Sequence, residues 1–457
     1  MDIQKIKFFT LLAGLLLIWT DPGLFHDNAL TISLILFAYL MVEFAWNMGR
    51  RINALDFMAI YALVVCLLTP AAFYYLDSIE WYRGYTEMAV SSERYFDVAA
   101  PGVLALIAGF NFPFKATLGS HLPYFERTVE YLKDKEYVGK NLFWIGMFCT
   151  LTYNFMPAGL VFFMVLASFL VYIGALYIWY SEAKGKIFYL LGMLAVPLSK
   201  TLEEGMFGEL VFISIFILMF VMMKYRVNFA AKIGLMLAGF IFILFIQSVK
   251  LEVRTLTWWE SEKSLDYKLD LYQRLARERM ENTDLLFGPE MLSGALDRSN
   301  QGAIVAMAIQ HTPASEPYAN GETIFLSTLA SVVPRFMWED KPTAGGRENM
   351  IRFTGFVPVG NTSMDIGQLG DAYVNFGPWG GAIFLFFYGL FFAYIYAKIF
   401  EKSETLYPSL ILWIPLFYTG VVHADTSVLV CLTHIIKVSM FVVIFIIGYE
   451  KILGQKI

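Results

Sequence analysis

Charge is what this sequence has least of. Only 16% of its 457 residues are Asp, Glu, Lys or Arg, while 58% are hydrophobic and 17% aromatic. At a mean hydropathy of +0.58, that scarcity excludes an ordinary soluble domain, in which about 25% of residues are charged, and implies a chain crossing a membrane many times. Cysteine is nearly absent. Cys66, Cys149 and Cys431 each sit inside an apolar run, which excludes a disulfide framework and leaves them as small core residues. Also missing are a DxD pair, a P-loop, a GxGxxG opening a helix and a His/Cys cluster for zinc. A nucleotide-sugar site built on a divalent metal is therefore not indicated, and no cofactor, metal or nucleic acid is expected. Internal repeats, low-complexity tracts and a soluble domain are absent as well.

What is there is a series of apolar runs. A helix needs about 20 such residues to cross a bilayer. On that basis the chain reads as an all-α polytopic membrane protein with about 12 transmembrane helices: about nine in residues 1–248, then a large outer (periplasmic) loop region over 249–378, then three in 379–457. Lys5 and Lys7 before the first run imitate a signal peptide. The run ends in TDPGLFHDN with no small-x-small cleavage pattern, so an uncleaved first span is expected. Counting Lys and Arg on alternate sides gives 18 on one side and 3 in the short loops of the other. By the positive-inside rule both termini are then cytoplasmic and 249–378 faces outward.

The outer region should contain amphipathic and re-entrant pieces. Leu265, Leu269, Tyr272, Leu275 and Ala276 recur at helical spacing, which predicts an amphipathic helix on the membrane surface or capping the bundle. TIFLSTLASVV is too short to cross, so it should be re-entrant or packed on the bundle. LDRSNQGAIVAMAIQ reads as a loop entering a short helix. Between apolar segments the chain gathers Arg298, Arg335, Lys341, Arg347 and Arg352. Arg grips phosphate oxygens bidentately and Lys adds point charge, so this set suits a phosphate or diphosphate head group, unless the cations are merely solvated and paired with Glu339, Asp340 and Glu348. Pro334 and Pro342 bracket the turn PRFMWEDKP and fix the direction of Arg335 and Lys341. Trp338 between them stacks on a sugar or sits at the membrane interface.

Two carboxylates follow, Asp365 and Asp371 in NTSMDIGQLGDAYVNFG. Each suits a general base near cations, or simply the N-cap of the next helix. Late in the chain come His423 and Asp425 in an outer turn, with His434 and Lys437 on one face of the last span. A charge near the bilayer centre is costly and marks either a functional site or a link between helices.

With those residues noted, the chain resembles the bacterial Wzy-type oligosaccharide repeat-unit polymerases, the O-antigen polymerase superfamily. The resemblance spans about 290 to 445: Arg298 in an LDRSN-like position, a PR-x-x-W-x-x-K-P-like turn at 334–342, and a Gly-Asp/Glu-x-Tyr-x-Asn-Phe-Gly element at Gly370 to Gly377. Where many such polymerases carry a Ser-Gly-x-Arg-Gly-like turn, this chain has SKTLEEGMFGE, with Lys200 in place of the Arg. The resemblance implies a metal-independent glycosyltransferase acting on undecaprenyl-diphosphate-linked glycan. Arg298, Arg335 and Lys341, with Trp338, Arg347 and Arg352, would hold the donor, and Asp365, Asp371 or His423 would take the acceptor's proton. A chain-length regulator is a candidate partner. A ligase that passes the glycan to another acceptor and a flippase or transporter of the lipid-linked oligosaccharide are the alternatives.

Overall fold

The computed structural model is helical; among the described residues the one pairing of extended backbone is an isolated bridge between Met48 and Arg51. Those residues are 3–204, 207–225, 227–257, 265–282, 284–333, 337–338, 346–358 and 364–457. Six helices are long and apolar enough to cross a membrane: Ala29–Asn47, Ala54–Ser78, Leu160–Tyr180, Phe229–Val249, Gly367–Thr405 and Val428–Leu453. Three shorter apolar helices accompany them, Lys186–Leu198, Glu322–Val332 and Pro408–Tyr418. In lipid each backbone N–H and C=O must be satisfied within the protein, so apolar runs of this length fold as helices.

Departures from regular helix have local causes. Ala54–Ser78 widens into a π-helical turn at Val64–Leu68. Pro70 has no N–H to give to the carbonyl four residues back, that of Cys66. The buried Tyr95 hydroxyl donates to that carbonyl instead, at 2.7 Å. The Gly367–Thr405 helix breaks at Gly377 (φ 70°, ψ −170°), followed by Pro378. The expected domain boundary at 378 falls on this break, whereas the one at 248 falls inside the Phe229–Thr257 helix.

Packing centres on the Ser92–Phe110 helix, which lies against Gly367–Thr405. At their contact a Cβ on Gly109 would stand 2.3 Å from the Phe386 carbonyl, and one on Gly389 2.5 Å from that of Leu106. Glycine at both positions lets the two backbones touch. The core built around them runs from Ile18 to Ile457.

Two segments of the 249–378 region pack against membrane-length helices. The Leu265–Glu281 helix turns Leu271 and Leu275 onto Val249 and Val253, so it folds back against the end of the preceding helix. The Glu322–Val332 helix packs along Val428–Leu453, with Ser331 Oγ 3.2 Å from Thr433 Oγ1. Its other face exposes Phe325 and Val332 at 67% and 62%. LDRSN is a joint between helices: Pro289–Ser299 ends there, and Asn300 caps Gln301–His311 through its side chain.

Candidate functional site

A helix begins with backbone N–H groups that have no partner within it. At the start of Val428–Leu453 they are met by carboxylates from elsewhere in the chain. Ser427 N–H donates to Asp365 Oδ2 at 3.2 Å and Val428 N–H to Asp371 Oδ2 at 2.8 Å. The positive end of the helix dipole favours this placement. Capping is thus part of what both aspartates do, but on the last helix. Their own helix is capped by Ile366, with no side-chain bond. Asp371 is 3% exposed, and the second oxygen of each carboxylate, Oδ1, is buried without a hydrogen-bond partner among the described residues. Burial pushes the Asp365 carboxyl above its ordinary value of 3.8; the Asp425 charge adds to the rise and the Ser427 N–H opposes it.

Neutral side chains lock the pair in place. Gln301 Nε2 donates to the Asp365 carbonyl at 3.0 Å and Gln368 Nε2 to that of His423, also at 3.0 Å. Asn375, one turn after Asp371, donates to the Asp371 carbonyl at 2.7 Å and to Thr323 Oγ1 at 2.6 Å. Nothing in charge counting singles these residues out. The i, i+4 spacing of Asp371 and Asn375 within the Gly-Asp-x-Tyr-x-Asn element was the available signal.

Asp365 also touches a second helix start. Gly346, at φ 60°, precedes Arg347–Thr354. A Cβ there would lie 1.5 Å from Asp365 Oδ1, so this backbone rests on the carboxylate and only glycine fits. A cavity of about 180 Å³ opens beside the contact, walled by Glu322, Thr323, Ser327, Asn349 and Ser427.

His423 lies in the turn before the last helix, its Nδ1 3.6 Å from Asp425 Oδ1 and its ring edge-on to Phe212 at 4.4 Å and Tyr61 at 5.7 Å. Burial pushes the Asp425 carboxyl up, but His423 and the Tyr61 hydroxyl outweigh it and hold the group below its usual value. This arrangement lies next to the π-helical turn of Ala54–Ser78.

The cations are distributed. Arg298 donates to Gln247, to the carbonyl at 3.3 Å and to Oε1 at 3.1 Å. Arg352 pairs with Glu316 at 2.6 Å and Glu322 at 3.4 Å. Arg347 opens the helix after Gly346. Trp338 is half-buried. Arg335 and Lys341, with Glu339 and Asp340, lie outside the described residues. Deeper in the last helix, His434 Nε2–H donates to the Leu416 carbonyl at 3.0 Å, and Lys437 Nζ stands 4.1 Å from the centre of the Phe162 ring. Among the described residues no three His, Cys, Asp or Glu side chains gather as a metal site.

A family model described as Domain of unknown function (DUF8712) matches residues 57–454. The chain belongs to the DUF8712 family. The DUF8712 match takes in the whole carboxylate site, from Tyr61 to the start of the last helix, and leaves out the first 56 residues. No curated protein and no solved structure matches the chain.

Proposed function

We propose that this protein is a glycosyltransferase that polymerises undecaprenyl-diphosphate-linked oligosaccharide repeat units at the outer face of a bacterial inner membrane. The observation that carries the reading is the carboxylate pair of half-buried Asp365 and buried Asp371 held against the start of the last helix, beside a polar cavity. In sequence, Arg335 and Lys341 fall between the Glu322–Val332 helix, whose first turns line that cavity, and Gly346, which touches Asp365. Extending a glycan needs a cationic seat for the diphosphate leaving group and a carboxylate for the attacking hydroxyl's proton. Arg335 and Lys341 take the first role, with Arg298, Arg347 and Trp338 supporting the donor. The second falls to the carboxylate pair or to His423. The acceptor hydroxyl attacks the anomeric carbon of the growing chain, the bond to the diphosphate breaks, and undecaprenyl diphosphate leaves.

Twelve crossings, both termini cytoplasmic and 249–378 outward, complete the reading. Contacts between segments assigned to one face favour it. On the cytoplasmic side Lys7 pairs with Glu43 at 2.6 Å and Lys115 with Glu404 at 2.9 Å. On the outer side Arg83 N–H donates to Ser293 at 3.0 Å and Arg94 to the Ile309 carbonyl at 2.9 Å.

The family resemblance leaves ligase and flippase as competing readings. A cell lacking the protein separates the first: single repeats remain on the final acceptor for a polymerase, whereas no glycan is attached for a ligase. Transport of the lipid-linked oligosaccharide across vesicles without a change in its length would support the second.

A further inference from the structure

The cavity beside Asp365 has a chemistry distinct from that of a phosphate site. Its polar wall consists of Thr323, Ser327, Asn349 and Ser427, with the carboxylates of Glu322 and Glu348 and the apolar Leu326 and Leu429. Among the described residues one cation lines it, Arg352, and that guanidinium is already held by Glu316 and Glu322. Among the described lining residues a phosphate would meet two carboxylates and no unpaired cation, an arrangement that Coulomb repulsion disfavours. A ring of hydroxyl groups meets the opposite conditions. Carboxylates accept from it, the Asn349 amide both donates and accepts, the serine and threonine hydroxyls do the same, and the leucines cover its apolar face. The volume, about 180 Å³, equals roughly a dozen waters at about 15 Å³ each, which is room for one sugar ring.

The position of the cavity matters as much as its lining. Asp365 is not itself among the lining residues but stands directly behind two of them: Ser427, whose backbone N–H it accepts, and Gly346, whose backbone rests on its carboxylate. Asp371 meets the Val428 N–H, one residue further into the helix, and is not part of the wall. His423 is not part of it either.

We propose that this cavity seats the non-anionic sugar ring that accepts the growing chain, bound through its hydroxyls, with Asp365 as the carboxylate that receives its proton. This rests on the polymerase reading and refines it: the diphosphate is bound outside the cavity, so donor and acceptor are recognised by separate surfaces. In the transfer, the acceptor oxygen forms the new glycosidic bond, its proton passes to Asp365, and the electron pair of the broken bond leaves with the diphosphate. Asp371 is then a positioning residue that fixes the helix start on which Asp365 rests.

The test is saturation-transfer NMR on the purified full-length chain in detergent, with a panel of neutral methyl glycosides and with inorganic pyrophosphate as competitor. At least one glycoside should bind, and excess pyrophosphate should leave its affinity unchanged. Asn349→Ala, which removes a hydrogen-bonding group without adding bulk, should weaken binding about tenfold. Leu326→Trp, which fills the space, should abolish it. Displacement of the glycoside by pyrophosphate would overturn the proposal. So would failure of every glycoside to bind, or binding that is unchanged in the folded Asn349→Ala protein. Because the readout is binding, it stands apart from the polymerase reading, which fails separately if glycosides bind yet lipid-linked repeats are never joined.

Discussion

Asp365 and Asp371 accept hydrogen bonds from consecutive backbone N–H groups, those of Ser427 at 3.2 Å and Val428 at 2.8 Å. The spacing ties two carboxylates six positions apart in sequence to one helix start, and leaves one oxygen of each buried without a partner among the described residues. The two should respond differently to amide substitution. An Asn at either site keeps an oxygen for the helix, so folding is retained, but an amide cannot accept a proton. Asp365→Asn is expected to lower single-turnover chain extension roughly a hundred- to ten-thousandfold, the usual contribution of a general base. Asp371→Asn is expected to cost less than about a tenth of that loss on the same scale.

Gly346 is fixed by contact as well as by conformation. A methyl group there would stand 1.5 Å from Asp365 Oδ1, on a backbone at φ 60°. Left-handed backbone alone costs a non-glycine residue about 1–2 kcal/mol. Gly346→Ala should therefore lower the melting temperature and the extension rate together. Adding Asp365→Gly removes the clash, so the double variant should recover part of the stability and none of the rate. Equal melting temperatures for the single and double variants would show that the two positions are not coupled.

The pH profile carries a sign that can be checked. Burial raises the Asp365 carboxyl above 3.8, and a base must be ionised to act. The rate should fall as pH drops through that raised value, so the acid limb of kcat/KM lies above the ordinary carboxylate range. Stability moves the other way. A carboxyl raised in the folded protein penalises folding above its folded value, and the penalty is lifted as pH falls through it. Asp365→Asn should remove the share of both dependences that Asp365 carries, as read by rate profiles and melts over the same range.

On the face assigned to the cytoplasm, His121 gives a separate stability test. Its Nδ1 accepts from Ile52 N–H at 3.0 Å and its Nε2–H donates to the Ala116 carbonyl at 2.7 Å, in a site where it is 1% exposed. Burial first, and then Arg51, pushes the imidazole down to about 3 from 6.5. The unfolded chain takes up a proton near 6.5 and the folded protein does not, so stability is full above that value and is lost as pH falls below it. Melting temperature should drop between about pH 7 and about pH 5, and His121→Gln should flatten that drop while lowering the value at neutral pH.

How far the sequence disclosed this arrangement differs from element to element. The helical class followed from apolar runs, because a single long apolar run satisfies its backbone in lipid only as a helix, and the 11-residue TIFLSTLASVV was expected to be re-entrant or packed on the bundle from its length and the charge pattern after it. The amphipathic helix at Leu265–Glu281 was written in its period, but its fold-back onto Val249 and Val253 and the helix break at Gly377 were not read from the sequence. The carboxylates stood out as charges in an apolar chain. What they cap did not, since a local N-cap and a capping contact 57 residues away, Asp371 to Val428, look the same in sequence. Gln301, Gln368 and Asn375 were passed over because neutral amides carry no charge signal and act only through partners the fold supplies. Arg352 entered as a phosphate ligand, and its pairing with Glu316 and Glu322 depends on a turn between helices that no periodicity marks.

The central claim is tested most directly by incubating the purified protein with a single undecaprenyl-diphosphate-linked repeat unit and resolving the products on a gel. Polymerisation predicts a ladder of multiples of the repeat, lost in Arg335→Ala and Asp365→Asn proteins that still melt cooperatively. A repeat unit that never lengthens under the wild-type protein, or a ladder unaffected by either substitution, would contradict it.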